Sequence, residues 1–450
     1  MRSFLGVPYA APPVGDLRWR PPQPFAHWSG VRPATAFGPH CAQPASPFGT
    51  ASTSEDCLYL NVFAPARPMV GAPVMVWIHG GALTVGESDD YNPASLVARG
   101  VVVVTLNYRL GALGFLAHPA LTTESVHRAS GNYGLLDQQA ALRWVARNIR
   151  AFGGNPHNVT IFGESAGGLS VHSQLASPLA AGLFDRAIVQ SGAYQPVQAT
   201  LANAEAAGSR FACADRDAAC LRALPVTTIL AKQNGGAPNV DGYVLKQSIV
   251  DSFTTGAFNR VPVIEGSNHD EWRLFVAQSE AQSGVPLSAA AYIPAIAATL
   301  GLSLDAATAL AAKYPLSAYP SPSVALGAVG TDVIFACNAR RLAGLLSAHV
   351  PTYQYEFNDP NAPMPFFPPV SFPTGAYHAA EIQYLFDSGT ALDPSQRALS
   401  RRMVGFWTAF ARFGTPFWPA YQPHSDRFED LVPGGVHAAT GFAADHKCMA

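Results

Sequence analysis

The segment Val159-Thr160-Ile161-Phe162-Gly163-Glu164-Ser165-Ala166-Gly167-Gly168-Leu169 decides the fold. Its first four residues are apolar or β-branched and read as a strand. Small residues then open a helix over Ala166–Ala176. A serine on so sharp a strand-to-helix turn needs small neighbours, because bulky ones would collide with the crowded backbone. The turn exposes the hydroxyl and places the following N–H at a helix N-terminus, where developing negative charge is favoured. As a bare pentapeptide Gly163-Glu164-Ser165-Ala166-Gly167 is a weak signal, since glycine occupies 39 of 450 positions. Its place between a strand and a helix gives it weight.

Working outward, residues 74–78 (Val-Met-Val-Trp-Ile) and 101–106 (Val-Val-Val-Val-Thr-Leu) are continuous apolar runs. Such runs suit strands buried on both faces, as in a mostly parallel sheet covered by helices. Leu135, Leu142, Val145 and Ile149 fall on one helical face, with Arg143, Arg147 and Arg150 off it. A further strand reads at 187–190. This alternation predicts a doubly wound α/β sheet. Residues 1–70, rich in Pro and Gly, read as irregular structure around the core, and the Ala-rich stretch 200–320 as helical. The last helix is well marked: Asp393 caps it, Pro394 opens it and Gln396 completes a capping box. Its stripe is Leu399, Met403, Phe406 and Phe410, and Gly414 with Pro416 ends it. With no repeat, low-complexity tract or clean linker, residues 1–450 read as one α/β domain with helical insertions.

Composition narrows the function. Hydrophobic residues make up 48% of the chain, enough for a large core, while charged residues are only 13% and the net charge is −2. The absence of a basic run argues against nucleic-acid binding, and no apolar run reaches the ~18 residues of a membrane span. Directly after the 74–78 strand, His79-Gly80-Gly81-Ala82 forms a glycine-rich loop whose N–H groups can approach an oxyanion unhindered. His79 reads as a structural residue of that loop. The six cysteines lack a Cys-x-x-Cys zinc pattern. Their even number and partly local spacing (Cys41 and Cys57, Cys213 and Cys220, with Cys337 and Cys448 apart) favour disulfides and an extracellular or periplasmic location, although the N-terminus does not read as a signal peptide.

These pieces occur within longer motifs: FLGVPYAAPPVGDLRW from Phe4, SEDCLYLNVF from Ser54, WIHGGAL from Trp77, LNYRLGALGFL from Leu106, GNYGLLDQQAALRWVARNIRAFGGNP from Gly131 and VTIFGESAGG from Val159. Together they resemble the type-B carboxylesterases, the family of cholinesterases and bacterial para-nitrobenzyl-type esterases. The resemblance runs over essentially the whole chain and is strongest over residues 54–192.

The resemblance implies an α/β-hydrolase fold, a mostly parallel sheet flanked by helices, and a Ser–Glu–His triad in that chain order. Ser165 stands at the nucleophile position. Glu271, in GSNHDEW, matches the acid, although the family commonly has Gly where this chain has Trp272; Asp270 is the alternative. His378, in GAYHAAEIQYLF, matches the base, while His349, His424, His437 and His446 also satisfy the order. The N–H groups of Gly81, Ala82 and Ala166 are implied as the oxyanion hole. Ser191, in QSGA, resembles a second serine that hydrogen-bonds within the triad network. The family pairing of cysteines is Cys41–Cys57, Cys213–Cys220 and Cys337–Cys448, and its usual N-terminal β-hairpin upstream of Phe4 is missing here. The implied substrate is a small-molecule ester, with no metal or organic cofactor and a monomeric enzyme. The alternative readings of this chain are a specialised esterase for a lipid, toxin or polyester substrate, or a non-catalytic binding or adhesion relative that keeps the fold, which the intact Ser165, Glu271 and His378 argue against. The loop 42–56 holds Phe48 and no Trp, so a choline ester is expected to be a poor substrate. The stretches 363–373 and 285–315 are candidates either for the pocket wall or for ordinary packing.

Overall fold

The computed structural model describes every residue except 210, 212, 214–216, 234, 449 and 450. Ten strands form one sheet among the described residues: β1 (Arg2–Pro8), β2 (Tyr59–Ala64), β3 (Ala72–Ile78), β4 (Val102–Leu106), β5 (Gly154–Glu164), β6 (Arg186–Gln190), β9 (Val263–Asn268), β10 (Thr352–Phe357), β11 (Arg427–Leu431) and β12 (His437–Thr440). Two short strands, β7 (Ala199–Thr200) and β8 (Asn239–Val240), pair separately. The order in the large sheet is β1-β2-β4-β3-β5-β6-β9-β10-β11-β12. The seven strands from β4 to β11 run parallel to their neighbours, and antiparallel pairs close both edges. This is the α/β-hydrolase architecture expected from the motifs.

Strand alternation explains why the central runs are apolar throughout. In β3, Val74, Val76 and Ile78 enter the core on one face, packed with Leu135, Leu142 and Leu169. Met75 and Trp77 enter the core on the other, with Met403, Trp407 and Phe410 of the helix Pro394–Phe413. That helix carries the expected Asp393–Gln396 capping box and a left-handed Gly414 after its last turn. Its stripe differs by one position: Trp407 is fully buried, whereas Phe406 is only partly so.

Two expectations need correction. The segment 200–320 is not all helix, because β9 runs through it and stands next to β6 and β10. Nor is 1–70 wholly irregular, since β1 and β2 make an antiparallel pair at the sheet edge. The Ala-rich stretch folds into the helices Tyr292–Leu300 and Leu304–Ala311, whose Tyr292, Ile296, Ala307 and Ala311 pack with Val324, Val329 and Phe372. One helical run, Pro322–Ser347, has the length and composition to cross a membrane, and 67% of its most apolar window is buried inside the fold. Disulfides join Cys41 to Cys57, Cys213 to Cys220 and Cys337 to Cys448.

Candidate active site

The turn after β5 places Ser165 at φ 55°, ψ −120°, backbone that a serine rarely adopts. The glycines around it are required by close approach. A Cβ on Gly167 would stand 2.0 Å from the carbonyl oxygen of Ile78, and one on Gly163 2.6 Å from that same oxygen. Strand β3 and the turn that carries Ser165 are therefore pressed together, and β3 leads directly into the loop at Gly80. There Gly81, Ala82 and Leu83 adopt φ of 94°, 54° and 56°. This left-handed run turns the loop sharply beside Ser165. Among the described residues, the N–H groups of Gly81, Ala82 and Ala166 donate to no protein acceptor. His79 is buried, stacks on Tyr108 and points Nδ1 at the Gly80 carbonyl. Burial lowers its pKa to about 4, which keeps the ring neutral.

On the other side of Ser165, the loop before Ala380–Tyr384 carries His378. Its Nδ1 lies 2.6 Å from Glu271 Oε2, and its own N–H donates to the Glu271 carbonyl. Glu271 is fully buried and its second oxygen accepts from the Asn268 N–H at 2.7 Å. Three hydrogen bonds thus fix the carboxylate, the imidazole and the backbone between them. The remaining nitrogen, Nε2, is 3.2 Å from Glu164 Oε1, the side chain next to Ser165, and makes no hydrogen bond. Glu164 belongs to the turn that carries Ser165, so that nitrogen lies beside the turn, without a hydrogen bond to the serine itself.

The alternatives for each role lie elsewhere. Asp270 is engaged by Arg273 at 2.8 Å, by His269 at 3.1 Å and by the Ala376 N–H at 3.0 Å. His349 packs against Phe258, His424 and His437 are exposed, and His446 lies between Asp332 and Glu356. Trp272 does not disturb the Glu271–His378 contact. Its ring stacks toward Phe275 at 4.4 Å and occupies the space a side chain at Gly330 would need. Ser191 departs from expectation: its Oγ is buried without a partner and no hydrogen bond joins it to Glu271 or His378.

Several contributors were not singled out from sequence. Burial pushes the Glu164 carboxyl well above the ordinary carboxylate range, with Glu381 and Glu271 adding to the rise and His378 opposing it. Burial acts to lower His378, yet Glu164 and Glu271 outweigh it and the imidazole is pushed up to about 9. Glu381 accepts from Gln190 Nε2 at 3.0 Å and Asn268 Nδ2 at 2.7 Å, tying the ends of β6 and β9 to the histidine loop. Phe275 and Phe335 flank His378 with ring centroids at 5.4 and 4.8 Å. Phe335 comes from Thr331–Ala336, a π-helical turn within a longer helix, a distortion frequent near functional sites.

The model of the carboxylesterase family matches residues 1–432. The chain belongs to that family. This carboxylesterase is 36% identical to the fumonisin B1 esterase of Sphingopyxis macrogoltabida over all of its own length and 87% of that protein. It is 37% identical to the para-nitrobenzyl esterase of Bacillus subtilis, covering 96% of this chain and 91% of the relative. A human protein named cocaine esterase is 35% identical over 98% of this chain and 85% of its own. The carboxylesterase is thus a carboxylic ester hydrolase acting on small-molecule esters.

Proposed function

We propose that ester cleavage proceeds through an acyl-enzyme on Ser165, with His378 as general base and acid and Glu271 holding its imidazole. The 2.6 Å contact between His378 Nδ1 and Glu271 carries this reading, because it leaves Nε2 turned toward the nucleophile turn. A serine hydroxyl is a weak nucleophile until a neighbouring base takes its proton. Ser165 Oγ bonds to the carbonyl carbon, its proton passes to His378 Nε2, and the carbonyl oxygen becomes an oxyanion. The unengaged N–H groups of Gly81, Ala82 and Ala166 receive that charge. The same proton goes to the leaving alcohol as the C–O bond breaks. Water, deprotonated by His378, then releases the acid and restores Ser165.

A fluorophosphonate probe tests the nucleophile directly. It should label the native protein at Ser165 and leave Ser165→Ala unlabelled, with kcat reduced on the order of a millionfold. Labelling at another residue, or turnover that survives Ser165→Ala, would overturn the assignment.

Three disulfides favour a secreted or extracellular protein. For the alcohol side of the substrate, the reading is an uncharged group. Phe48 packs against Phe366 and Phe367 at 5.0 and 6.1 Å, so its ring is taken up by neighbours rather than offered to a quaternary ammonium. A cation–π contact is worth up to about 2 kcal/mol when desolvated. kcat/KM for a neutral butyrate ester should therefore exceed that for butyrylcholine, and the opposite order would defeat this preference.

A further inference from the structure

A second, partly buried cluster stands at the end of the sheet, behind the loop that carries Glu271. It is assembled from four separate segments: His269 after β9, Glu356 in β10, Asp332 in the π-helical turn and His446 near the C-terminus. One donor atom each from His269, Glu356 and His446 lies within 4.8 Å of the others. The two imidazoles are tilted toward each other with centroids 5.4 Å apart.

The outer nitrogen of each imidazole is already held. His446 Nδ1 is 2.8 Å from Asp332 Oδ1, and His269 Nδ1 is 3.1 Å from Asp270 Oδ1. Asp332 is itself fixed by the Tyr314 hydroxyl at 2.9 Å. A carboxylate on Nδ1 orients the ring so that Nε2 is the nitrogen left for a metal; on His446 that nitrogen carries a proton donated to Glu356, which a metal must displace. His446 Nε2 faces Glu356, with which it makes a short hydrogen bond. Strand register adds another carboxylate: Glu356 of β10 is aligned with Asp430 of β11. Asp430 Oδ1 is buried and has no hydrogen-bond partner. Glu356 and two oriented imidazoles converge on one small volume, with Asp430 beside Glu356 in register.

We propose that His269, Glu356 and His446 form a binding site for a divalent transition-metal ion, with Asp430 placed by register to complete the set. Two imidazoles and one carboxylate suit Zn²⁺ in charge, softness and ligand number. Bonds of about 2.0–2.2 Å place tetrahedral ligands roughly 3.4 Å apart. The His446–Glu356 pair therefore opens and His269 closes in. His269 has room to do so, because its side chain is 40% exposed. On binding, the proton shared by His446 and Glu356 is released to solvent and the metal takes its place between them. The ion joins the C-terminal segment, anchored next door by Cys337–Cys448, to the loop of the triad acid.

The measurement is a calorimetric titration of chelator-treated full-length protein with ZnCl₂, alongside the absorption spectrum of the Co²⁺-loaded form. All six cysteines are in disulfides, so thiolates do not contribute to uptake. One Zn²⁺ per chain is expected, with Tm rising as Zn²⁺ is added, and tetrahedral ligand-field bands with Co²⁺. His269→Ala, at a partly exposed position, should weaken Zn²⁺ binding on the order of a hundredfold or more and remove the Co²⁺ bands. No uptake by the native protein, or uptake indifferent to His269→Ala, would make the cluster an ion-paired network only and overturn the proposal.

Discussion

Two buried histidine–glutamate pairs belong to β9 and the loop that follows it, and only one of them lies beside the turn that carries Ser165. His172 Nε2 contacts Glu265 at 2.7 Å, almost the separation of His378 and Glu271, and both pairs are shielded from solvent. Glu265 sits inside β9, whereas Glu271 follows its C-terminal end. His172 comes from the middle of the helix behind Ser165, with Phe253 against its ring and no polar group at its other nitrogen. His378 stands on a loop, and its other nitrogen faces Glu164, the neighbour of the strained Ser165. A carboxylate orients an imidazole in both places. Catalytic capacity depends on what lies across the ring, and that is available at the C-terminal ends of the strands, where α/β sheets bind their ligands.

The comparison can be broken most sharply at its carboxylates. Glu271→Gln should lower kcat on the order of ten-thousandfold while the fold survives, as expected when the orienting carboxylate is neutralised. Asp270→Asn, beside it but engaged by Arg273, should cost far less; the reverse ranking would transfer the role of acid to Asp270. His172→Ala should have the opposite profile. It leaves Glu265 buried without its partner, a loss of roughly 3–5 kcal/mol in denaturant unfolding, with kcat of the folded enzyme unchanged. A catalytic defect as deep as that of Glu271→Gln would erase the distinction between the pairs. The smallest effect is one of pH. Negative charge at Glu164 favours the imidazolium form of His378, and a general base must be neutral to act. Removing the charge in Glu164→Gln lowers the pKa of His378, so the acidic limb of the kcat/KM profile moves to lower pH. An unmoved or upward-shifted limb would show that Glu164 does not set the basicity of His378.

The parts of the molecule legible in sequence were those that backbone geometry imposes on neighbouring residues. Gly163 and Gly167 flank Ser165 because β3 runs too close for a Cβ, and that constraint is written in five consecutive letters. The capping box at Asp393 and Gln396 is equally local. What escaped were features that depend on distant partners. Strand β9 carries Glu265, Ser267 and Asn268, which look unlike core residues until His172 and Glu381 are placed beside them. Phe275 and Phe335 read as ordinary helix residues, and only the packed fold brings them to His378. The Ser191 hydroxyl shows the reverse case, since its expected bond to the triad depends on a side-chain orientation that no local pattern specifies. That Glu271 rather than Asp270 pairs with His378 likewise depends on distant partners, since Arg273 and the Ala376 N–H engage the aspartate.

The Cys337–Cys448 bond also determines how a broken chain behaves. The exposed stretch around Ser388 and Gly389 lies between the two cysteines, so a protease cutting there divides the polypeptide without separating its parts. The piece with Ser165, Glu271 and His378 stays covalently linked to the piece with the long Pro394–Phe413 helix. On a gel run without reductant the clipped protein would migrate as a single species, and two bands would emerge only after thiol treatment. Damage at that site is therefore retained within one molecule, and the clipped enzyme keeps all three side chains on the same fragment.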